Sequence, residues 1–215
     1  MNNTARLKPS DYIEASRVPQ RLKPQIFGLW SITRQSFNRS WPLFQILEWQ
    51  RNAAFDSVTF LKHFTMATLH QDGETVMEDG ITELRRHLPI RLAAHGRVLI
   101  TGLGLGCVVR GLLANSDVDV IDVVEIDRQI LRIIGHEFQS NRRVRLHCCD
   151  ALTWESPKGA CYDFAYHDIW RDEQRHISLA HLELITRYHG IANTQDAWGM
   201  PRFARRILSH TINLL

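Results

Sequence analysis

Apolar residues recur along this chain in two periods, one helical and one alternating. Over residues 9 to 55 they come in helical pieces broken by Pro19, Pro24 and Pro42, with Leu43, Phe44, Ile46, Leu47 and Phe55 forming one apolar face. From Val58 to His70 the pattern alternates, as at Val58/Phe60 and Phe64/Met66, which predicts a strand. Asp72-Gly73 then supplies a hairpin turn and Thr75 to Met77 the return strand. Ile81, Leu84 and Leu88 mark the stripe of a helix that Pro89 ends or kinks.

Beyond this point strands and helices alternate. Short apolar runs predict strands at 97–101, 119–125, 143–148 and 162–167, with helices at 105–115, 127–137 and 171–188 between and after them. Gly190 to Asn193 is a candidate for a short fifth strand, and Pro201 to Leu215, with Phe203, Ile207 and Leu208, for a terminal helix. Such alternation argues for an α/β, Rossmann-like, mostly parallel sheet with right-handed crossovers. The short tail suggests that this sheet is truncated at its C-terminal strands. The expected division is a helical cap over 1–57, a β-hairpin over 58–80 and the Rossmann-like domain over 81–215.

The first of these strands carries the chemistry. Val98 to Thr101 runs into Gly102, Gly104 and Gly106, and a helix follows from Cys107. Glycines in such a turn let the backbone approach a ligand, and the following helix turns its free N–H groups to the same cleft. Glu125, 23 positions after Gly102 and at the end of the second strand, is placed to accept hydrogen bonds from a ribose diol. A dinucleotide fingerprint would need glycine at 107, where this chain has Cys107.

Bulk properties narrow the setting. At 215 residues, 44% hydrophobic and 23% charged, the chain suits one domain with a sizeable core and a small appendage. Its net charge of +3 does not by itself imply a polyanionic partner, although Met1 to Ser40 holds seven Arg or Lys against Asp11 and Glu14, and Arg202, Arg205 and Arg206 follow near the end. This asymmetry reads first as a solvated basic face. No apolar run approaches the ~18 residues of a membrane span, and the polar start lacks a signal-peptide core, so the expectation is a cytoplasmic protein with no membrane contact. Cys107, Cys148, Cys149 and Cys161 lack metal or disulfide spacing and read as small core residues. The 11 histidines form no ligand motif, so no metal is expected. Trp30, Trp41 and Trp49 read as packing of the cap rather than as a ligand box.

The G-x-G-x-G spacing at 102–106 resembles motif I of class I S-adenosylmethionine-dependent methyltransferases. Residues 142–152 look like the strand and loop in which that superfamily sets an aspartate against the adenine amino group, here Asp150, and residues 162–168 look like its fourth-strand motif. Residues 76–170 resemble most its spermidine-synthase-like branch, through Val98 to Gly106, Val124 to Asp127 and His87-Leu-Pro-Ile90, and in that alignment Asp168 falls on the catalytic aspartate. The acceptor side departs from the branch. Ile81 stands where a polyamine-contacting tyrosine would be, Arg85 and Arg86 would repel a cationic polyamine, and the second acid after Asp168 is replaced by Ile169 and Trp170. Met77 to Trp198 as a whole looks more like the compact methyltransferases of phage and bacterial genomes.

The resemblance implies S-adenosylmethionine as cofactor, with Gly102, Leu103, Gly104 and Gly106 at its methionyl part, Glu125 at the ribose, Asp150 and Ala151 at the adenine, and Thr101 and Ile126 as further cofactor-binding residues. Asp168 would face the acceptor as orienting group or base, or cap a following helix, roles that can coexist. Tyr166 and Trp170 are acceptor-side candidates, whereas His167 points away from Asp168 by strand alternation. The expected activity is methyl transfer to an unidentified acceptor, small or macromolecular; alternatives are aminopropyl transfer and a silent nucleotide-binding or assembly module. Asp168-Ile-Trp-Arg171 lacks the prolines of enzymes that methylate base amines, so nucleic acid is not favoured, though Arg21, Lys23, Arg34 and Arg39 are candidate phosphate contacts. An oligomer stays open.

Overall fold

The computed structural model describes residues 7–36, 65–169 and 179–200. The apolar face at 43–55, the strand onset at Val58, Trp170, the first half of the 171–188 helix and the terminal helix from Pro201 lie outside the described residues.

Two sheets make up the described molecule. Helix α1 (Pro9–Ser16) precedes β1 (Gln25–Phe27), β2 (Trp30–Ser36), β3 (Thr65–Gln71) and β4 (Glu74–Glu78), which form an antiparallel sheet in that order. Helices α2 (Ile81–Arg86) and α3 (Leu88–Ala93) lead into the second sheet, and His87 with Pro89 makes the break foreseen between them. The second sheet comprises β5 (Gly96–Thr101), β6 (Val118–Glu125), β7 (Val144–Cys148), β8 (Phe164–His167) and β9 (Gln195–Ala197). Its order is β7-β6-β5-β8-β9, and each neighbouring pair is parallel. Helix α4 (Cys107–Leu113) follows β5, α5 (Arg128–Ile133) and a 3-10 turn at Gly135–Phe138 follow β6, and α6 (Leu179–Tyr188) precedes β9.

The central strands are apolar because both faces are covered. Val98, Leu99, Ile100, Ile121, Val123 and Val124 are all buried, Leu99 and Val124 in one cluster and the others in the opposite one. The chain runs outward from β5 through β6 to β7 and then crosses back to β8 on the other side of β5, so the carboxyl end of β5 is the topological switch point.

Three expectations change. Residues 25–36 form a hairpin where helical pieces were expected, because Trp30 and Ile32 are buried while Ser31 and Thr33 are not, a period of two, and Gly28 at φ 65° makes the turn. The fifth strand lies at Gln195–Ala197 rather than 190–193, where Ala192 makes only an isolated bridge to Tyr162. The Gln195 side chain sets this register by bonding His167 and the Ile185 carbonyl. Lastly, Cys107 alone is a core cysteine: Cys148, at the end of the edge strand, and Cys161 are exposed, and Cys149 is half-buried.

The remaining elements follow from local chemistry. Asp72 at φ 52° and Gly73 at φ 81° make the expected tight turn between β3 and β4. The Asp79 carboxylate, fully buried, accepts the N–H groups of Ala67 at 2.6 Å and Val18 at 2.9 Å, tying the N-terminal loop to the antiparallel sheet. Among the described residues no helix is long and apolar enough to cross a membrane.

Candidate functional site

A cavity of about 300 Å³ opens at the switch point. Gly102 and Gly104 after β5, Glu125, Ile126 and Asp127 after β6, Asp150 and Ala151 after β7, and Asp168 and Ile169 after β8 line one side. Trp30, Leu69, Gln71 and Val76 of the antiparallel sheet line the other. This volume lies at the small end of the range for ligand sites.

The glycine turn is shaped by its neighbours. Gly102, at φ 90°, donates its N–H to the Val124 carbonyl at 2.8 Å, and a Cβ on it would overlap the Asp168 carbonyl oxygen. At Gly104 a Cβ would meet the Met77 sulfur, which accepts the Leu105 N–H at 2.9 Å, and at Gly106 it would press on Phe138. Backbone packing therefore requires Gly102 independently of any ligand, whereas at Gly104 and Gly106 the positive φ of 49° and 78° weighs more than side chains that can shift.

Glu125 holds the turn from the second strand. One carboxylate oxygen accepts the Leu103 N–H at 2.7 Å and the other the Asp127 N–H at 2.8 Å. Burial raises its pKa, outweighing the lowering by these backbone donors. The Gly104 N–H lies against the same carboxylate, and a carboxylate has about four acceptor sites, so one that braces the turn still has room for a hydroxyl donor. Asp127 caps α5, accepting the Gln129 and Ile130 N–H groups at 2.7 and 3.2 Å, and its other oxygen accepts the Trp30 indole N–H at 2.9 Å. That bond pins the antiparallel sheet over the cavity.

On the remaining strand ends, Asp150 spends one oxygen on the Leu152 N–H at 2.9 Å. Asp168 is half-buried, and its N–H bonds the Thr101 carbonyl at 2.8 Å. Loss of water around its carboxyl, then the negative charges of Glu83 and Glu125, push its pKa up to about 8. Glu83 is held in turn by the Trp198 indole N–H at 2.6 Å.

The structure thus brings Gly102, Gly104, Glu125, Ile126, Asp150, Ala151 and Asp168 to one cavity. Leu103 is buried and reaches the site only through its amide, and Gly106 serves the helix start. Thr101 and Tyr166 do not line the cavity. The Thr101 hydroxyl pairs with His167 Nδ1 at 3.0 Å, and Tyr166, 2% exposed, lies in the core with its ring edge-on to His87. His167 is turned from the cavity as alternation required, its Nε2 pairing with Gln195 Oε1 at 3.0 Å, and burial pushes its pKa down to about 4. Sequence reasoning missed the cavity-facing role of Trp30 and Gln71 and the contact of Met77 with the turn. The alternation at Trp30/Ile32 was the available signal.

No family model matches the chain. Two curated proteins do: a spermine synthase of Arabidopsis thaliana, 31% identical over 121 residues, which covers 52% of this chain and 33% of that protein, and a polyamine aminopropyltransferase of Prochlorococcus marinus, 34% identical over 79 residues, covering 33% and 28%. The chain spans about a third of the length of these relatives. They fit the spermidine-synthase-like branch that the glycine turn and the 124–127 segment resemble. Similar solved structures include a putative RNA methyltransferase from Pyrococcus horikoshii, with TM-score 0.42, 14% identity and coverage of 60% of this chain and 62% of that one. An N-methyltransferase from Bradyrhizobium japonicum gives TM-score 0.46, 12% identity and coverage of 60% and 81%.

Proposed function

We propose that this chain binds S-adenosylmethionine in the switch-point cavity and transfers the sulfonium methyl group to an acceptor held near Asp168. The observation that carries this reading is the convergence, in one cavity, of the glycine turn, Glu125, Asp150 and Asp168 from four successive strand ends. The donor set fits the group: Glu125 and Asp150 would take the ribose diol and the adenine amine, and among the described residues no Lys or Arg lines the cavity to demand a phosphate. When bound, the cofactor supplies an activated carbon on a cationic sulfur. The chain's own contribution is positioning, exclusion of water and handling of the acceptor proton. Asp168 suits the last task because a carboxyl group with a pKa of about 8 exchanges its proton near neutral pH.

Aminopropyl transfer is the second reading, favoured by the names of the two curated relatives. Among the described residues the charges that raise the Asp168 pKa are those of Glu83 and Glu125, which suits a cationic acceptor, whereas Ile81 and Arg85 break the polyamine pattern. Titrating the protein with S-adenosylmethionine and with its decarboxylated form separates the readings. Tighter binding of the carboxylated cofactor supports methyl transfer; a strong preference for the decarboxylated one supports aminopropyl transfer. Binding of both with no turnover on any amine, hydroxyl or nucleic-acid acceptor points to a silent module.

A further inference from the structure

On the face of α4 away from the cavity, we propose a second site, which binds a phosphate-type oxyanion. It is a cleft of about 410 Å³ between the 17–21 loop, α4 and the 3-10 turn, lined by Arg17, Arg21, Arg110, Glu137 and Asn141. Three guanidinium groups line it against the Glu137 carboxylate, with Glu14 on the rim, which leaves a net positive charge in a concave surface. Glu137 already plays the part of an anion: its oxygens accept from Arg110 Nε and Nη2 at 3.0–3.3 Å and from Arg21 Nη2 at 3.1 Å. Arg110 is 7% exposed, and its Nη1 has no hydrogen-bond partner among the described residues. That nitrogen is itself sealed from the cleft, so an oxyanion entering there would meet the Arg17 and Arg21 groups and the edge of Arg110, bringing three or four acceptor oxygens where Glu137 brings two.

The wall of the cleft is built to hold positive charge. Arg34 donates to the Leu22 carbonyl at 3.0 Å, to that of Pro19 at 2.6 Å and to that of Val18 at 3.3 Å, fixing the loop that presents Arg17 and Arg21. Arg17 is itself anchored by its bond to the Thr65 carbonyl at 3.1 Å and lies 3.6 Å from Glu14 on the rim. Burial lowers the Arg34 pKa, and the charges of Arg17 and Arg110 lower it further against the pull of Asp79, so three of these cations share one field. Of the basic N-terminal segment seen in the sequence, Arg17 and Arg21 line the cleft, while Lys8 and Lys23 are exposed.

The test is calorimetric titration of the full chain with inorganic phosphate at fixed ionic strength, with chloride as reference, for the native protein, Arg21→Ala and Glu137→Gln. Arg21 is varied rather than Arg110 because Arg110 also braces the glycine turn through the Leu105 carbonyl at 2.8 Å. Arg21→Ala is expected to weaken phosphate binding by about 3-fold and Glu137→Gln to tighten it by a similar factor, the scale of an exposed ion pair. A thermal melt confirms that each variant is folded. Glycerol phosphate in place of phosphate distinguishes a phosphomonoester from the free anion as the source, since the monoester gains from contacts beside Phe138 and Leu113. Phosphate binding no stronger than chloride, or Glu137→Gln weakening rather than tightening it in the folded protein, overturns the proposal.

Discussion

The carboxylate of Glu125 reaches back across the end of β6 to take the Leu103 N–H at 2.7 Å, so the residue placed to meet a ribose also fixes the shape of the glycine turn. Ligand affinity and local stability are therefore coupled at this side chain. Glu125→Ala leaves two backbone donors without their charged acceptor, and hydrogen bonds of that kind are worth about 1.5–3 kcal/mol each. The variant is expected to melt lower and to bind S-adenosylhomocysteine at least about 10-fold more weakly; Glu125→Gln, which keeps an acceptor, should lose less of both. Unchanged affinity in Glu125→Ala would remove Glu125 from the site.

At Gly102 the constraint is steric. Its φ of 90° and the Asp168 carbonyl in the place of a Cβ make Gly102→Ala expensive, by about 3 kcal/mol or more, read as a drop in melting temperature without any ligand present. A small change in melting temperature would mean that β8 does not press on the turn as described.

Asp168 sets a pH dependence. Its folded pKa of about 8 lies above the ordinary 3.8, so the folded state holds the proton more tightly and stability falls as pH rises from about 4 through about 8. Asp168→Asn, which stays neutral, should gain stability over the native protein as pH rises, by on the order of 2 kcal/mol between pH 5 and pH 9 after allowance for the partial exposure of this carboxyl. If Asp168 takes the acceptor's proton, turnover rises through the same range and the variant loses that limb. Parallel stability curves for the two proteins would contradict the burial of this charge.

Two buried histidines act at the acid end. Burial pushes both His87 and His167 down to about 4 from the ordinary 6.5, so both stay neutral in the fold while the unfolded chain takes up protons. Stability should fall as pH drops from about 6.5 towards 4, by on the order of 2 kcal/mol for each group. His87 has neither ring nitrogen hydrogen-bonded among the described residues, so His87→Leu should flatten part of this limb and raise stability at pH 5, whereas replacing His167 breaks its bonds to Thr101 and Gln195 and should destabilise at every pH. Denaturant melts at pH 5 and pH 7 check both directions.

Much of the parallel sheet was legible because its strands are continuous apolar runs that end in marked residues: Thr101 before the glycines, Glu125, Cys148 before Asp150, and His167 before Asp168. Side-chain direction within β8 was legible too, since a period of two sends His167 and Asp168 to opposite sides. The cavity wall from the antiparallel sheet was not legible. Trp30 is brought to Asp127 by a contact spanning 97 residues, and no local pattern reports on such a contact. Prolines at 19 and 24 suggested broken helices, yet they flank a loop that Arg34 fastens by its backbone carbonyls. Tyr166 shares the Asp168 side by alternation, but α2 and His87 cover that strand position and take it into the core. The exposed edge of β7 likewise outweighs the small size of Cys148.

The Asp150 assignment can be tested through the base it is expected to meet. Asp150→Ala should weaken S-adenosylhomocysteine about 3- to 10-fold while leaving an analogue without the exocyclic amine unaffected, because a single hydrogen bond to that amine is lost. Equal losses for the two ligands would place Asp150 away from the adenine.

The central claim is that the switch-point cavity is an S-adenosylmethionine site. Isothermal titration of the native chain with S-adenosylhomocysteine, repeated with Glu125→Ala and with Gly104→Ala, tests it most directly. Saturable binding at one site per chain, weakened by both substitutions while the variants stay folded, is the expected result. No binding of S-adenosylhomocysteine or S-adenosylmethionine by the folded native protein, or binding indifferent to both substitutions, would contradict it.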